Sequence, residues 1–188
     1  QDQQATCLVE VLKNAPGVVL GGRSPRDPLN IINIRGFDAS NDILINGLPD
    51  PTASEIAFGS NIERVEVLKG PASVLFGQGG LGGSVNLVTK QPLLDPFYSV
   101  EASAGSYNLY RGAIDLSGPL NESKTVLYRL NASAQTRESF IDFYEHRDYL
   151  IAPSLAFKLG DKTKLTLAAE YLLSEGTYDF GLPPRGSV

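Results

Sequence analysis

The sequence predicts two structural parts in series, a small α+β domain with a mixed sheet followed by antiparallel strands of alternating polarity. Three observations predict this. Short β-branched strands and two helical segments share the first half of the chain. A glycine-rich loop separates two of those strands, and from Phe97 onward polar and apolar residues alternate with a period of two. We therefore predict domains over residues 1–94 and 95–188.

The elements of the first part are predicted by apolar spacing and by turn residues. Four apolar residues fall on one helical stripe between positions 5 and 15, and Pro16-Gly17 ends that helix. β-branched residues predict strands over 30–35 and 43–45. Asn46-Gly47 then predicts a tight turn.

The block from Ile62 to Pro92 is the most informative part of this domain. It predicts a strand over 62–68, a short helix over 72–76 and a returning strand over 84–89. The glycines at 77–82 fit the pattern GxGxxG, but a dinucleotide fingerprint follows a strand and opens a helix. Because the order here is reversed, we interpret these glycines as turn and close-packing residues.

Five alternating segments of about 9–11 residues follow, a length that spans a bilayer when the strand is tilted. Aromatic residues recur near the segment ends. Short polar turns at 118–124 and 160–163 alternate with longer connections at 136–147 and after 174. Charged side chains share the polar face: Glu101, Arg111, Asp115, Arg129 and Glu170. Alternation alone would also fit a β-sandwich, but the charged face, aromatic ends and uneven loops favour a membrane barrel.

Composition argues against several functional classes. The 188 residues carry a net charge of −5 and no cluster of lysine or arginine, so a nucleic-acid partner is not expected. Cys7 is the single cysteine and His146 the single histidine, so we expect no internal disulfide and no Cys/His metal site. We interpret His146 as a solvated loop residue. No apolar run approaches the about 20 residues that a membrane helix needs.

The chain resembles the plug domain and first barrel strands of TonB-dependent outer-membrane receptors, in the ferric-siderophore branch. The resemblance covers nearly the whole chain. It implies a chain truncated at both ends, with about five of about 22 barrel strands and without the N-terminal energy-coupling peptide. The matching stretches are LVEVLKNAPGV at 8–18, INIRGF at 32–37, ILINGLP at 43–49, the block 62–92 and GSYNLYRGAIDLSGPL at 105–120.

The resemblance implies active uptake of ferric siderophores across the bacterial outer membrane, with the plug gating the barrel lumen. TonB and its inner-membrane energising complex would supply the energy, and outer-membrane lipid would surround the barrel. No enzyme activity, catalytic residue, cofactor or bound metal is expected, since iron would be carried only within the siderophore. Two alternatives stay open: uptake of cobalamin, haem or another bulky nutrient by the same machinery, and a soluble α+β binding module with a β-sandwich tail.

Ligand-contact residues follow from the resemblance where the positions match. Arg23 lies twelve residues before Arg35, a spacing that places an arginine on a plug apex in ferrichrome-type relatives. Its guanidinium would pair with an anionic iron chelate, and Arg26 is a second candidate. Asp50 and Thr52 are expected to line the same site. A solvated loop arginine is the alternative interpretation of Arg23.

A second set is expected where the plug meets the barrel. Arg35 and Lys69 match plug positions that in relatives meet barrel glutamates, and those glutamates would lie beyond residue 188. A lysine at the second position weakens bidentate geometry. Glu63 and Arg64 either take part in the same contact or simply pair across the sheet.

Overall fold

The chain divides into two compact units. The first unit comprises residues 1–58, 64–88 and 177–188, and the second comprises 59–63 and 89–176. A computed structural model describes residues 8–20, 31–49, 59–70, 80–139, 144–160 and 162–177.

The first unit opens with a short helix and a small antiparallel sheet. Helix α1 covers Leu8–Leu12, and the strands that follow are β1 (Val18–Leu20), β2 (Ile32–Ile34) and β3 (Phe37–Asp38), in the order β1-β2-β3. The predicted helix over 5–15 is therefore shorter in the described residues, and the helix predicted over 72–76 lies outside them. No described helix is long and apolar enough to cross a membrane.

A four-stranded mixed sheet, as predicted, follows in this unit. Its strands are β4 (Ile43–Ile45), β5 (Leu48–Pro49), β6 (Ile62–Lys69) and β7 (Gly83–Thr89), in the order β5-β4-β7-β6. Strand β4 pairs with β7 in parallel and with β5 antiparallel. The Gly70 N–H donates to the Gly82 carbonyl, which joins the end of β6 to the start of β7.

Apolar side chains from the helix and both sheets form the core of the first unit. The buried apolar residues are Leu8, Leu12, Ile32, Ile34, Ala39, Ile43, Leu44, Val85 and Leu87. The first five residues of β7 are all buried, so both faces of this strand are covered. Burial on both faces is typical of a central strand with a parallel neighbour.

The second unit contains one antiparallel sheet. Its strands are β8 (Phe97–Gly105), β9 (Leu109–Pro119), β10 (Val126–Glu138), β11 (Glu145–Lys158), β12 (Lys164–Ala168) and β13 (Tyr171–Gly176). The order is β12-β11-β10-β9-β8, and β13 also pairs with β11. The five predicted alternating segments correspond to β8, β9, β10, β11 and the pair β12–β13.

A proline explains why the last predicted segment is divided. Strands β12 and β13 share one register on β11, with Ala168 opposite Ser154 and Tyr171 opposite Ile151. Pro153 of β11 accepts a hydrogen bond from the Ala169 N–H at 3.0 Å but has no N–H to return. The hydrogen-bond ladder with β11 is interrupted at that point, and β13 then continues in the same direction as β12.

In this sheet, polar side chains are buried and large apolar side chains are exposed, which is the reverse of the usual pattern in a soluble protein. The buried polar residues of β9–β11 are Asp115, Ser117, Arg129, Asn131, His146 and Asp148. Apart from Phe97, the exposed large apolar residues of these strands are Tyr98, Val100, Tyr110, Tyr149, Ile151, Leu155, Leu165, Leu167, Tyr171 and Leu173. Register places the second set on the opposite face, with Val100 beside Ile114 and Ala132 beside Ile151. The predicted division into a polar and an apolar face is thus confirmed.

Candidate functional site

Four of the predicted site residues, Arg23, Arg26, Asp50 and Thr52, lie outside the described residues. Their contacts with a ligand therefore stay predictions. Within the described part of the chain, no group of three or more His, Cys, Asp or Glu side chains is arranged to hold a metal ion.

Arg35 and Lys69 are exposed residues beside turns. Arg35 has a φ of +53° and forms a turn with Gly36 between β2 and β3. Its N–H donates to the Gly17 carbonyl at 2.9 Å, which closes the small sheet. Lys69 ends β6 with its side chain exposed. Their predicted contacts with barrel glutamates stay predictions.

Arg64 pairs with Glu66, two residues along β6, at 2.8 Å between Nε and Oε1. Glu63 is exposed on the other side of the strand, because neighbouring residues of a strand point to opposite faces. Asn86 of β7 donates to the second oxygen of Glu66 and accepts the Gly47 N–H, both at 2.9 Å. Hydrogen bonds from Asn86 and Arg64 hold the pKa of the Glu66 carboxyl below its usual value. Arg64 is therefore already engaged within the mixed sheet.

The main polar site of the second unit surrounds the segment that follows β7. Asp115 of β9 accepts hydrogen bonds from Arg129 Nε at 2.9 Å and Nη2 at 2.8 Å, in bidentate geometry. Lys90 Nζ lies 2.9 Å from the same carboxylate, so two cations share one buried anion. Arg129 Nη1 also donates to the Gln91 carbonyl at 2.7 Å. We call Lys90, Gln91, Leu93, Asp115, Ser117 and Arg129 the linker anchor.

The rest of the linker anchor centres on Ser117, which is completely buried. Its hydroxyl donates to the Tyr128 carbonyl at 2.8 Å and accepts the Leu93 N–H at 2.9 Å. The guanidinium carbon of Arg129 lies 5.9 Å from the centre of the Phe97 ring, within cation–π range. The segment that follows β7 is thus bonded to both β9 and β10.

A neighbouring contact holds the segment that precedes β6. Asn61 Nδ2 donates to Glu170 Oε2 at 2.6 Å, and the Asn61 carbonyl accepts the Lys90 N–H at 2.8 Å. The chain just before β6 and the chain just after β7 are thus bonded to each other. Each is also held by a carboxylate of the second unit, Glu170 for Asn61 and Asp115 for Lys90.

About half of the residues of this site are predicted from the sequence. Alternation placed Asp115, Arg129 and Glu170 on the polar face and predicted that such a face could contact a plug. It did not select Lys90 or Asn61, because their partners are 25 and 109 positions away and are known only from the strand register.

The position of His146 differs from the one predicted from the sequence. It lies in β11 and is 9% exposed, so the interpretation as a solvated loop residue is wrong. The connection between β10 and β11 is shorter than predicted, since β10 extends to Glu138 and β11 begins at Glu145. His146 therefore takes the polar face with Asp148, and its Nε2 lies 3.0 Å from Ser174 Oγ.

Ser117→Ala is expected to lower the free energy of unfolding of the protein by about 1–3 kcal/mol, the cost of leaving buried groups without partners. The substitution removes both a donor and an acceptor while changing the side-chain volume little. Urea unfolding, with Ser99→Ala as a control on an exposed part of β8, would measure it. Equal stability of the two variants would contradict the role given to Ser117.

Comparison with known proteins identifies the family. Residues 1–84 match the model described as the TonB-dependent Receptor Plug Domain. The chain belongs to the TonB-dependent receptors. It is 37% identical over 185 residues to the probable TonB-dependent receptor BfrD of Bordetella pertussis, covering 97% of this chain and 25% of BfrD. This TonB-dependent receptor chain thus spans a quarter of that relative's length.

Two further similar proteins are receptors that are named for a metal complex. The chain is 43% identical over 122 residues to the metal-pseudopaline receptor CntO of Pseudomonas aeruginosa, covering 65% of this chain and 17% of CntO. The closed form of the ferric-catecholate import receptor Fiu from Escherichia coli K12 matches with a TM-score of 0.84 and 34% identity. That match covers 97% of this chain and 26% of Fiu. On this receptor the segment that the linker anchor holds, residues 90–93, lies shortly after the plug match, which ends at residue 84.

Proposed function

We propose that the protein takes up ferric siderophores across the bacterial outer membrane in a TonB-dependent manner, and that strands β8–β13 belong to its barrel. The inverted burial of the antiparallel sheet carries this proposal. Asp115 and Arg129 are buried on one face, whereas Val100 on the other is 79% exposed. An uncovered apolar face is stable in hydrocarbon, and a closed barrel satisfies every backbone group there. A β-sandwich tail would instead bury this face against a second sheet.

The first unit is proposed to be the plug that gates the barrel. A plug that must rearrange during transport is better connected through polar contacts than through a dry apolar core, and the contacts of the segment that follows β7 within the second unit are polar. No bond is made or broken in such a process, so we propose neither an enzyme activity nor a cofactor. Because the outer membrane has no ATP, the energy would come from TonB and its inner-membrane complex.

The proposed ligand is an iron chelate, which is bound at the plug apices. Support comes from relatives whose names specify a ferric catecholate and a metal–pseudopaline complex. Arg23 and Arg26 are proposed to pair with acidic groups of the chelate, and Asp50 and Thr52 to line the same site. Arg35, Glu63, Arg64 and Lys69 are proposed to face the barrel wall.

An uptake experiment tests the function. The full-length receptor would be expressed in a siderophore-free strain that lacks its other outer-membrane iron receptors, and radioiron uptake would be followed for catecholate and hydroxamate chelates. We expect uptake of at least one chelate that requires the receptor, TonB and proton-motive force together. Binding of iron chelates without any TonB-dependent uptake, or uptake that survives deletion of the receptor, would overturn the proposal.

A further inference from the structure

A second polar cluster lies on the same face of the sheet but at the opposite end from the short turns. It stands where β9 begins, where β10 ends and β11 begins, and where β13 ends. Register places Arg111 opposite Gln135 and Arg137 opposite His146. We call the cluster the rim cluster, and it comprises Arg111, Gln135, Arg137, His146, Asp148 and Ser174.

Asp148 is the centre of this cluster, and both of its carboxylate oxygens lie near polar side chains of the cluster. Ser174 Oγ donates to Oδ1 at 2.7 Å, His146 Nε2 lies 3.2 Å from the same oxygen, and Gln135 Nε2 lies 3.5 Å from Oδ2. The residue types match a hydrolytic triad, but the Ser174 hydroxyl donates directly to the carboxylate. The Ser174 proton is therefore directed to Asp148 and not to His146 Nε2, which lies 3.0 Å from Ser174 Oγ, and the cluster is a hydrogen-bonding site.

The two arginines of the rim cluster differ from those of the linker anchor. Arg129 is saturated by Asp115, whereas neither Arg111 nor Arg137 has a carboxylate within 4.0 Å among the described residues. The Nε of Arg137 is buried and has no hydrogen-bond partner among them. A buried donor without an acceptor is costly, so an oxygen acceptor that reached this group would stabilise it.

The carboxylates near this end of the sheet do not form ion pairs with Arg111 or Arg137 among the described residues. Glu101 of β8 shares the polar face with Arg111 but is exposed, and it forms no ion pair with a described residue. The engaged carboxylates near this end of the sheet are Asp148, Glu138 with Asn108, and Glu145 with Arg147. Asp148 attracts Arg137 at longer range, but neither guanidinium group forms an ion pair within 4.0 Å with a described residue.

We propose that Arg111 and Arg137 form a wall subsite for an anionic, oxygen-rich chelate, such as one that presents carboxylate or catecholate oxygens. The proposal rests on the proposed function, since it requires the polar face to line the lumen. The two residues are diagonal neighbours on one face of β9 and β10, and such residues lie about 7–8 Å apart. Two long side chains at that spacing reach one ligand, and planar guanidinium groups bind oxyanions in bidentate geometry.

Arg111→Gln and Arg137→Gln test the subsite in the full-length receptor. Equilibrium binding would be compared for a negatively charged iron(III) tris-catecholate and an uncharged iron(III) tris-hydroxamate. Each substitution is expected to weaken binding of the charged complex by about tenfold and of the uncharged complex by less than about twofold. Arg147→Gln is the control, because Arg147 lies on the apolar face, is exposed and is paired with Glu145. Equal effects on both complexes, or none on the charged one, would overturn the proposal.

A third probe separates this proposal from the proposed function. Citrate without iron presents the same carboxylate chemistry but requires no iron transport. If the wild-type receptor binds neither iron complex, the siderophore function fails, and citrate binding then decides on the subsite alone. Citrate affinity that falls in both variants supports the subsite. Citrate affinity that is absent or unchanged in the variants overturns it.

Arg111→Gln keeps the test informative if Arg137→Gln folds poorly. Arg111 forms no ion pair with a described residue, so its substitution breaks no charged contact within the sheet. Weaker binding of the charged complex by Arg111→Gln alone therefore supports the subsite. Unchanged binding of that complex would overturn it.

Discussion

Asp115→Asn is expected to lower the free energy of unfolding by about 3–5 kcal/mol, because it leaves the buried Arg129 and the half-buried Lys90 without their anion. The substitution keeps the side-chain size, so packing changes little. The Arg129 side chain is only 8% exposed, and water cannot easily replace the lost carboxylate. Urea or guanidinium unfolding of the full receptor in lipid vesicles would measure the loss.

The control for this substitution is Glu101→Gln, which neutralises an exposed carboxylate on the same face of the sheet. We expect it to change stability by less than about 0.5 kcal/mol. Combining Asp115→Asn with Lys90→Gln removes one of the two unpaired cations, so the double variant should lose less stability than the sum of the single variants. A strictly additive result, or Asp115→Asn as stable as the control, would contradict the anchor.

Gly83→Ala is expected to prevent correct assembly of the mixed sheet, at a cost of about 3 kcal/mol or more. Gly83 begins β7 with a φ of +139°, a conformation that residues with a side chain rarely adopt. A Cβ at this position would also collide with the carbonyl oxygen of Leu68 in β6. Because a backbone atom blocks the space, a change of rotamer cannot relieve the collision.

Protease resistance of the first unit in the full receptor would measure this effect, together with receptor level in the outer membrane. Gly112→Ala in β9 is the matched control, since a Cβ there meets nothing within 4 Å. Gly82→Ala should resemble Gly83→Ala, because its Cβ would collide with the Ile34 carbonyl. Normal protease resistance of Gly83→Ala would show that the close approach of the two strands is not required.

The glycine-rich loop shows how far local sequence rules reach. The order of helix, glycines and strand argued against a nucleotide site and predicted close backbone packing. The structure confirms that packing at Gly82, whose neighbour is the carbonyl of Ile34. Local rules could not identify Ile34 as that neighbour, since the two residues are far apart in the chain and meet only in the folded first unit.

The alternation of polar and apolar residues predicted the two faces of the antiparallel sheet correctly. It did not predict which side chains pair across neighbouring strands. A period of two assigns every residue of a strand to a face once one residue is assigned. It contains no information on register, which joins Arg129 to Asp115 and leaves Arg137 opposite His146. The error at His146 has the same origin, since the end of β10 is decided by its pairing with β11 and not by the loop-like residues around it.

Local spacing and an extended match to one family were enough to establish the receptor family, the mixed sheet of the first unit and the inside-out polarity of the second. The folded structure was needed to show which charges are neutralised. Asp115, Arg129 and Arg111 all lie on the predicted polar face and look equivalent in the sequence, and Arg137 falls within the predicted connection over 136–147. Coulomb energy depends on distance and burial, and these are settled by strand register. Strand register therefore pairs Arg129 with Asp115 in the linker anchor, whereas it leaves Arg111 and Arg137 without an ion pair among the described residues. These two arginines are the ones proposed to bind a ligand.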